Sequence, residues 1–223
     1  MADFALQRTN MVEGQIRPSD VTDRRLLRIM LEIPREQFVP PSMQALAYMD
    51  EHVCISAAGG GRNARYLIAP RVLAKLIEHL ELDEGDVVLD VGCGSGYSSA
   101  ILARMARAVI ALEADPSLAE WAKKTLLAVG IGNAAVVTGP LAEGCSKEGP
   151  YDGILLNGAV PAVPKGLLDQ LKSGGRLTAV TSDDTVGQAA QWRRLDGVFD
   201  RRTIFEAGAP RLPGFERKTE FVF

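Results

Sequence analysis

The sequence predicts an α/β protein whose core is a mostly parallel sheet with helices on both faces. From Asp86 onward, apolar runs of strand length alternate with stretches of helical spacing, an order that calls for right-handed crossovers and a parallel sheet. A glycine-rich turn, VGCGSG from Val91 to Gly96, joins the first such run to the first such helix. A chain of 223 residues, 47% of them hydrophobic, suffices for one domain with a sizeable core.

The elements follow in order. Asp20 to Ile33 spaces Leu26, Leu27, Ile29, Met30 and Leu31 closely enough to helical periodicity for one amphipathic helix, with Thr22 or Asp20 as its cap. IPREQFVPPSM, with three prolines, breaks it. Ala57 to Gly61 is expected to be a mobile loop or lid, because its three glycines enter positive φ freely. Pro70 suits the first turn of the next helix, which continues through Leu80. Strands are then predicted at Asp86 to Val91, Ala108 to Glu113, Ala134 to Thr138, Tyr151 to Asn157 and Arg176 to Thr181, the last behind the turn Lys172 to Gly175. Helices are predicted at Tyr97 to Arg107, Ser117 to Val129 and Lys165 to Leu171, and Trp121 and Trp192 are assigned to helical stretches as packing residues. Val198 to Phe205 and Arg217 to Phe223 read as a terminal antiparallel pair. The single domain thus divides into a helical cap and substrate loop (1–82), a βα core (83–195) and an edge pair (196–223).

Charge and composition exclude several function classes. Twenty-five basic against 28 acidic side chains give a net charge of -3, which supplies no footprint for a nucleic acid or an anionic membrane. The arginines of the C-terminal stretch are interleaved with acids and read as a solvated surface. Cys54, Cys93 and Cys145 lack disulfide or zinc spacing, and His52 and His79 do not complete a metal site. His52 reads as a loop histidine without a role, and Cys93 as a small residue that fits the turn. A signal-like start and an apolar run of roughly 18 residues are both missing, so a cytoplasmic protein is expected.

The glycine turn carries the chemistry. A strand ending in Asp90 and turning through Gly92, Gly94 and Gly96 into a helix leaves backbone N–H groups open to a ligand. The dinucleotide fingerprint G-x-G-x-x-G is not met, since the third glycine comes one residue early. The Asp90 carboxylate would repel a pyrophosphate but suits an ammonium, which S-adenosylmethionine carries beside its sulfonium. Glu113 ends the second strand and can accept hydrogen bonds from both ribose hydroxyls. A nicotinamide oxidoreductase is therefore a distant alternative.

These motifs resemble the protein-L-isoaspartate O-methyltransferase family. MVEGQIRPSDVTDRRLLRIMLEIPREQFVPPSMQALAYMDE is similar to that family's N-terminal cap, VVLDVGCGSGYSSAILARM to its first cofactor motif, and YDGILLNGAVPAVPKGLLDQLKSGGRL to the strand, loop and helix that follow the cofactor site. The resemblance implies a Rossmann-like class I methyltransferase fold with a seven-stranded sheet and an antiparallel C-terminal edge. It also implies S-adenosyl-L-methionine as donor, an isoaspartyl protein or peptide as partner, and action in repair of damaged proteins. The implied cofactor residues are Asp90, Gly92, Gly94, Ser95, Gly96, Glu113, Ala114, Pro140 and Leu141. The implied substrate residues are Gly61, Arg62, Asn63, Arg65, Tyr66 and Ile68.

Two departures from the family stand out. GGGRNARYLIAP places Ile68 where the family has the serine that lies at the substrate carboxylate, and the stretch from Asp50 to Pro70 is longer than the family's. An isoleucine cannot hydrogen-bond a carboxylate; Arg62, Asn63 or Arg65 are the candidates to replace it, an arginine gripping bidentately. Pro140 stands where the family has an aspartate that contacts the adenine amino group. These departures keep open a methyltransferase with a different acceptor and a non-catalytic S-adenosylmethionine-binding protein.

Overall fold

A computed structural model of the chain describes residues 3–61, 63–182 and 187–216. The cap opens with α1 (Phe4–Met11), a π-helical turn (Val12–Ile16) and a 3₁₀ turn (Arg17–Ser19). Asp20, at φ 66°, ends that turn in the left-handed region, so it does not cap the next helix. That helix, α2 (Arg24–Glu32), is capped by Asp23, whose Oδ1 accepts from the N–H groups of Arg25 at 2.7 Å and Leu26 at 3.1 Å. Thr22, the other expected cap, instead donates its N–H to Glu78 Oε1 at 2.6 Å.

The predicted loop is the tip of an antiparallel hairpin of β1 (Val53–Ser56) and β2 (Arg65–Leu67). There follow α3 (Pro70–Glu78), β3 (Val87–Val91), α4 (Tyr97–Met105), β4 (Ala108–Glu113), α5 (Pro116–Ala128), β5 (Ala134–Thr138), β6 (Tyr151–Val160), α6 (Lys165–Leu168), β7 (Leu171–Thr181), β8 (Gln188–Leu195) and β9 (Val198–Glu206). The last seven strands form one sheet in the order β5-β4-β3-β6-β7-β8-β9. Pairing is parallel from β5 through β7 and antiparallel at β7–β8 and β8–β9. The order reverses between β3 and β6, and at such a switch point a ligand crevice opens beyond the carboxyl ends of the strands.

Both faces of the sheet are covered. Alternate residues of a strand point to opposite faces, and here Val88, Leu155 and Val180 join the core formed with α2, α3 and α4, whereas Leu89, Ile154, Leu156 and Ala179 join the one formed with Leu141, Leu167 and Leu168.

The edge corrects the expectation at the C-terminus. Trp192 lies on a strand, paired with Leu177 on one side and Arg201 on the other, so Gln188–Leu195 is itself one half of the antiparallel pair. Helix-favouring residues such as Ala189, Ala190 and Gln191 are overridden because both neighbouring strands bond to them. Asp196 and Gly197, both at positive φ, make the two-residue hairpin turn. The Arg217 to Phe223 segment lies outside the described residues. In β7 the pairing reaches back across Lys172 to Gly175, where a turn had been expected: a Cβ on Gly175 would sit 2.9 Å from the Tyr151 carbonyl oxygen, so glycine lets the strands stay together.

Candidate functional site

Between β3 and α4 the chain turns through Gly92 (φ 79°), Gly94 (φ 58°) and Gly96 (φ 98°). Only the first two need argument. A Cβ on Gly92 would lie 2.6 Å from Leu212 Cδ2, and one on Gly94 2.8 Å from Ile55 Cδ1. The turn is thus pressed from one side by the C-terminal strap 207–216 and from another by β1. The strap is tied to β6, Leu212 donating its N–H to the Ala159 carbonyl at 2.9 Å and Ala159 its own to Pro210 at 2.8 Å. Ser95 donates its hydroxyl to the Phe38 carbonyl at 2.6 Å, which joins the turn to the cap.

Asp90 is fully buried at the end of β3. Its Oδ2 accepts from the hydroxyls of Ser98 and Ser99, each at 2.6 Å, and Ser98 accepts from the Asn157 amide at 2.7 Å. Asp90 Oδ1 and Asn157 Oδ1, on neighbouring strands, are buried acceptors with no partner among the described residues. Burial raises the Asp90 pKa to about 6 against the pull of the two serine hydroxyls. A cation supplied to this corner would satisfy what the protein leaves open.

Glu113, at the end of β4, is also fully buried. Its Oε1 accepts from the N–H groups of Ala114 at 2.8 Å and Asp115 at 3.1 Å, and its Oε2 from Gly94 at 2.8 Å. Arg65 completes the set: its two guanidinium ends close bidentately on the two oxygens, Nη2 to Oε2 at 2.9 Å, and Nη2 also donates to the Gly92 carbonyl at 3.2 Å. Arg65 thus points at the expected ribose carboxylate. A cavity of about 240 Å³ opens beside this pair, lined among others by Gly61, Asn63, Ala114, Asp115 and Pro213.

Of the other expected site residues, Tyr66 is half-buried on β2 opposite Cys54. Ile68 is 1% exposed and packs in the core, with only its carbonyl used, by Arg35 at 2.8 Å. Pro140 is exposed and Leu141 is buried in the core beneath it; neither lines the cavity. Arg62 lies outside the described residues. Cys93 is buried and its thiol pKa pushed well up by burial, which makes it unreactive. His52, read as a loop residue without a role, accepts the Ala69 N–H on Nδ1 at 3.0 Å. Sequence reasoning missed Asn157, Ser98 and Leu212. The signal for Asn157 was present, as the lone amide in the apolar run YDGILLNGAV.

The family model described as Protein-L-isoaspartate(D-aspartate) O-methyltransferase (PCMT) matches residues 6–203. The chain belongs to that family. A protein-L-isoaspartate O-methyltransferase of Methanoculleus marisnigri is 40% identical over 173 residues, 78% of this chain and 76% of the relative. Protein-L-isoaspartate O-methyltransferase 1 of Rhodopseudomonas palustris is 39% identical over 185 residues, 83% of this chain and 73% of the relative. Among solved structures, a protein-L-isoaspartate O-methyltransferase superposes with a TM-score of 0.80 at 25% identity, covering 93% of this chain and 67% of the other. A beta-aspartate methyltransferase from Plasmodium falciparum, in complex with S-adenosyl-L-homocysteine, superposes at 0.77 with 20% identity, covering 93% and 98%, and shares the fold.

The chain is accordingly an S-adenosylmethionine-dependent protein-L-isoaspartate O-methyltransferase, an enzyme of protein repair, on the class I methyltransferase fold. Its own residues are compatible with that donor: two buried acceptors are left without a partner among the described residues, where an ammonium would satisfy them, and a carboxylate stands at the end of the second strand. Among the described residues no helix is long and apolar enough to cross a membrane, and no group of three His, Cys, Asp or Glu side chains is placed to hold a metal.

Proposed function

We propose that the methyl donor is held across the carboxyl ends of β3, β4 and β6, with its amino group at Asp90 and Asn157 and its ribose at Glu113, beside Ala114. The isoaspartyl carboxylate of a damaged protein would reach it from the side of the β1–β2 hairpin. The observation that carries this placement is the pair of unpartnered buried oxygens, Asp90 Oδ1 and Asn157 Oδ1, because buried polar atoms of a folded protein are almost always paired.

The bound donor supplies an electrophilic methyl group on a sulfonium. The acceptor carboxylate is already ionised at neutral pH, so the chain needs no general base. It has to bring the carboxylate in line and keep water out. Phe38, Ile55 and Leu212 close around the turn and exclude water there. Ser98, through its bonds to Asp90 and Asn157, keeps the two acceptors in one orientation.

Calorimetry with S-adenosyl-L-homocysteine, followed by labelled methyl transfer to paired isoaspartyl and aspartyl peptides, tests this reading. Binding at micromolar concentration and transfer to the isoaspartyl isomer alone are expected. Unchanged S-adenosyl-L-homocysteine affinity in Asp90→Ala would refute the placement, and binding without transfer to either peptide would refute the acceptor.

A further inference from the structure

Glu113 is saturated. Its two oxygens take five N–H donors, three from the backbone of Gly94, Ala114 and Asp115 and two from Arg65. A carboxylate offers about four lone-pair sites, so a ribose diol can reach Glu113 only by replacing Arg65. The exchange is matched in number, two guanidinium N–H groups for two hydroxyls, and it sets the guanidinium free. The backbone donors are fixed by the turn and by the start of the β4–α5 connection, and Arg65 alone is carried on a movable side chain.

The released cation has no second carboxylate among the described cavity residues except Asp115, which already accepts the Ser117 N–H at 2.8 Å. Arg65 is also the one cation among the described residues that line this cavity. The acceptor of the reaction brings a carboxylate to this place, and Ile68, in the core, offers it no side-chain donor.

We propose that Arg65 is the residue that recognises the acceptor carboxylate, that it is stored on Glu113, and that the donor's ribose releases it. This rests on the function proposed above and adds an order to it: donor first, acceptor second. The donor breaks a buried charge pair when it binds, and the acceptor restores one, so each raises the affinity of the other by the same factor. Arginine suits the task because the same planar fork fits Glu113 and an incoming carboxylate alike.

The test is binding of S-adenosyl-L-homocysteine and of an isoaspartyl peptide, each alone and together, to wild type, Arg65→Ala and Arg65→Lys. Wild type should bind the peptide at least tenfold more tightly with S-adenosyl-L-homocysteine present, and an isoasparaginyl peptide, whose α-carboxyl is an amide, should gain nothing. Arg65→Ala should bind S-adenosyl-L-homocysteine several-fold more tightly, lose the coupling, and raise the KM for peptide at least tenfold. Arg65→Lys should fall between. Tenfold weaker S-adenosyl-L-homocysteine binding in Arg65→Ala, or an unchanged peptide KM, would overturn the proposal. Should the variants not fold, amide exchange of wild type decides: protection of residues 63–67 should fall when S-adenosyl-L-homocysteine binds, and a rise would overturn the exchange. Failure of the wild type to methylate isoaspartyl peptide would strike the acceptor reading, while the storage of Arg65 is read from S-adenosyl-L-homocysteine affinities alone.

Discussion

Ser98 donates its hydroxyl to Asp90 at 2.6 Å while accepting the Asn157 amide at 2.7 Å, so one hydroxyl holds a carboxylate of β3 and an amide of β6 in a fixed relation. Each partner keeps one oxygen unpaired. The corner is built at the expense of stability, and that makes it measurable.

Burial lifts the Asp90 pKa from 3.8 to about 6. A folded-state value above the unfolded one means the carboxyl favours folding while protonated, and this contribution is lost as pH rises from about 4 through 6. At pH 7.5 Asp90→Asn should therefore be more stable than wild type, by up to about 3 kcal/mol if the whole shift is expressed. The gap should close toward pH 4. Binding of S-adenosyl-L-homocysteine should drop at least tenfold in the variant, and in wild type it should strengthen as pH rises through 6. Denaturant unfolding at three pH values checks the first expectation; a variant less stable than wild type at pH 7.5 would contradict it.

At Gly92 both the backbone and the space require glycine. Its φ of 79° lies in the left-handed region, which disfavours a Cβ by about 1 to 2 kcal/mol, and Leu212 Cδ2 sits 2.6 Å from where the Cβ would be. Gly92→Ala should destabilise the protein by about 2 kcal/mol and weaken donor binding at least tenfold. Adding Leu212→Ala should relieve the clash but not the backbone strain, so calorimetry should show only partial recovery. Full recovery of affinity in the double variant would place the whole effect in the strap.

Much of this was legible because it is local. The order of strands and helices from Val87 to Thr181 follows from apolar runs and glycine breaks, and Asp90, the glycine turn and Glu113 follow from their positions at strand ends. What stayed hidden depends on long-range pairing. Arg65 meets Glu113 across 48 positions, and nothing near either residue announces the other. Gln188–Leu195 became a strand because β7 and β9 flank it, although Asp196-Gly197 was a readable hairpin signal. GGGRNARYLIAP sets Ile68 at the position of the family's serine, and a position in the sequence carries no information about which way a side chain faces; here it is buried.

Arg35 is a second long-range feature. It is fully buried, donates to the Ala47 carbonyl at 2.7 Å and the Ile68 carbonyl at 2.8 Å, and lies 4.7 Å over the Tyr97 ring. One side chain thereby binds the cap to the start of α3 and to α4. Arg35→Ala leaves two buried carbonyls unpaired, at a cost of about 1 to 3 kcal/mol each. Arg35→Lys keeps the charge but not the planar fork and should cost less. Urea unfolding measures both; equal losses would show that the geometry, and not the charge, is what matters.

His52 sets the acid limit from the opposite direction to Asp90. Its Nδ1 accepts the Ala69 N–H at 3.0 Å, so the neutral ring is the one the fold uses. Burial lowers its pKa, aided by the Arg35 charge and opposed by Glu51, by Asp50 and by a hydrogen bond with the Gly208 backbone. A histidine whose folded value lies below its unfolded one, about 6.5, contributes stability above that pH and loses it as pH falls through the folded value. His52→Asn keeps an oxygen acceptor but does not titrate. It should be less stable than wild type by about 1 kcal/mol at pH 7.5, and the difference should shrink as pH falls below about 6.5, where the unfolded chain takes up a proton that the folded ring resists. Thermal unfolding of both proteins between pH 5 and 8 gives the answer, and a difference that grows on acidification would mean that the ring is already protonated in the folded protein at neutral pH.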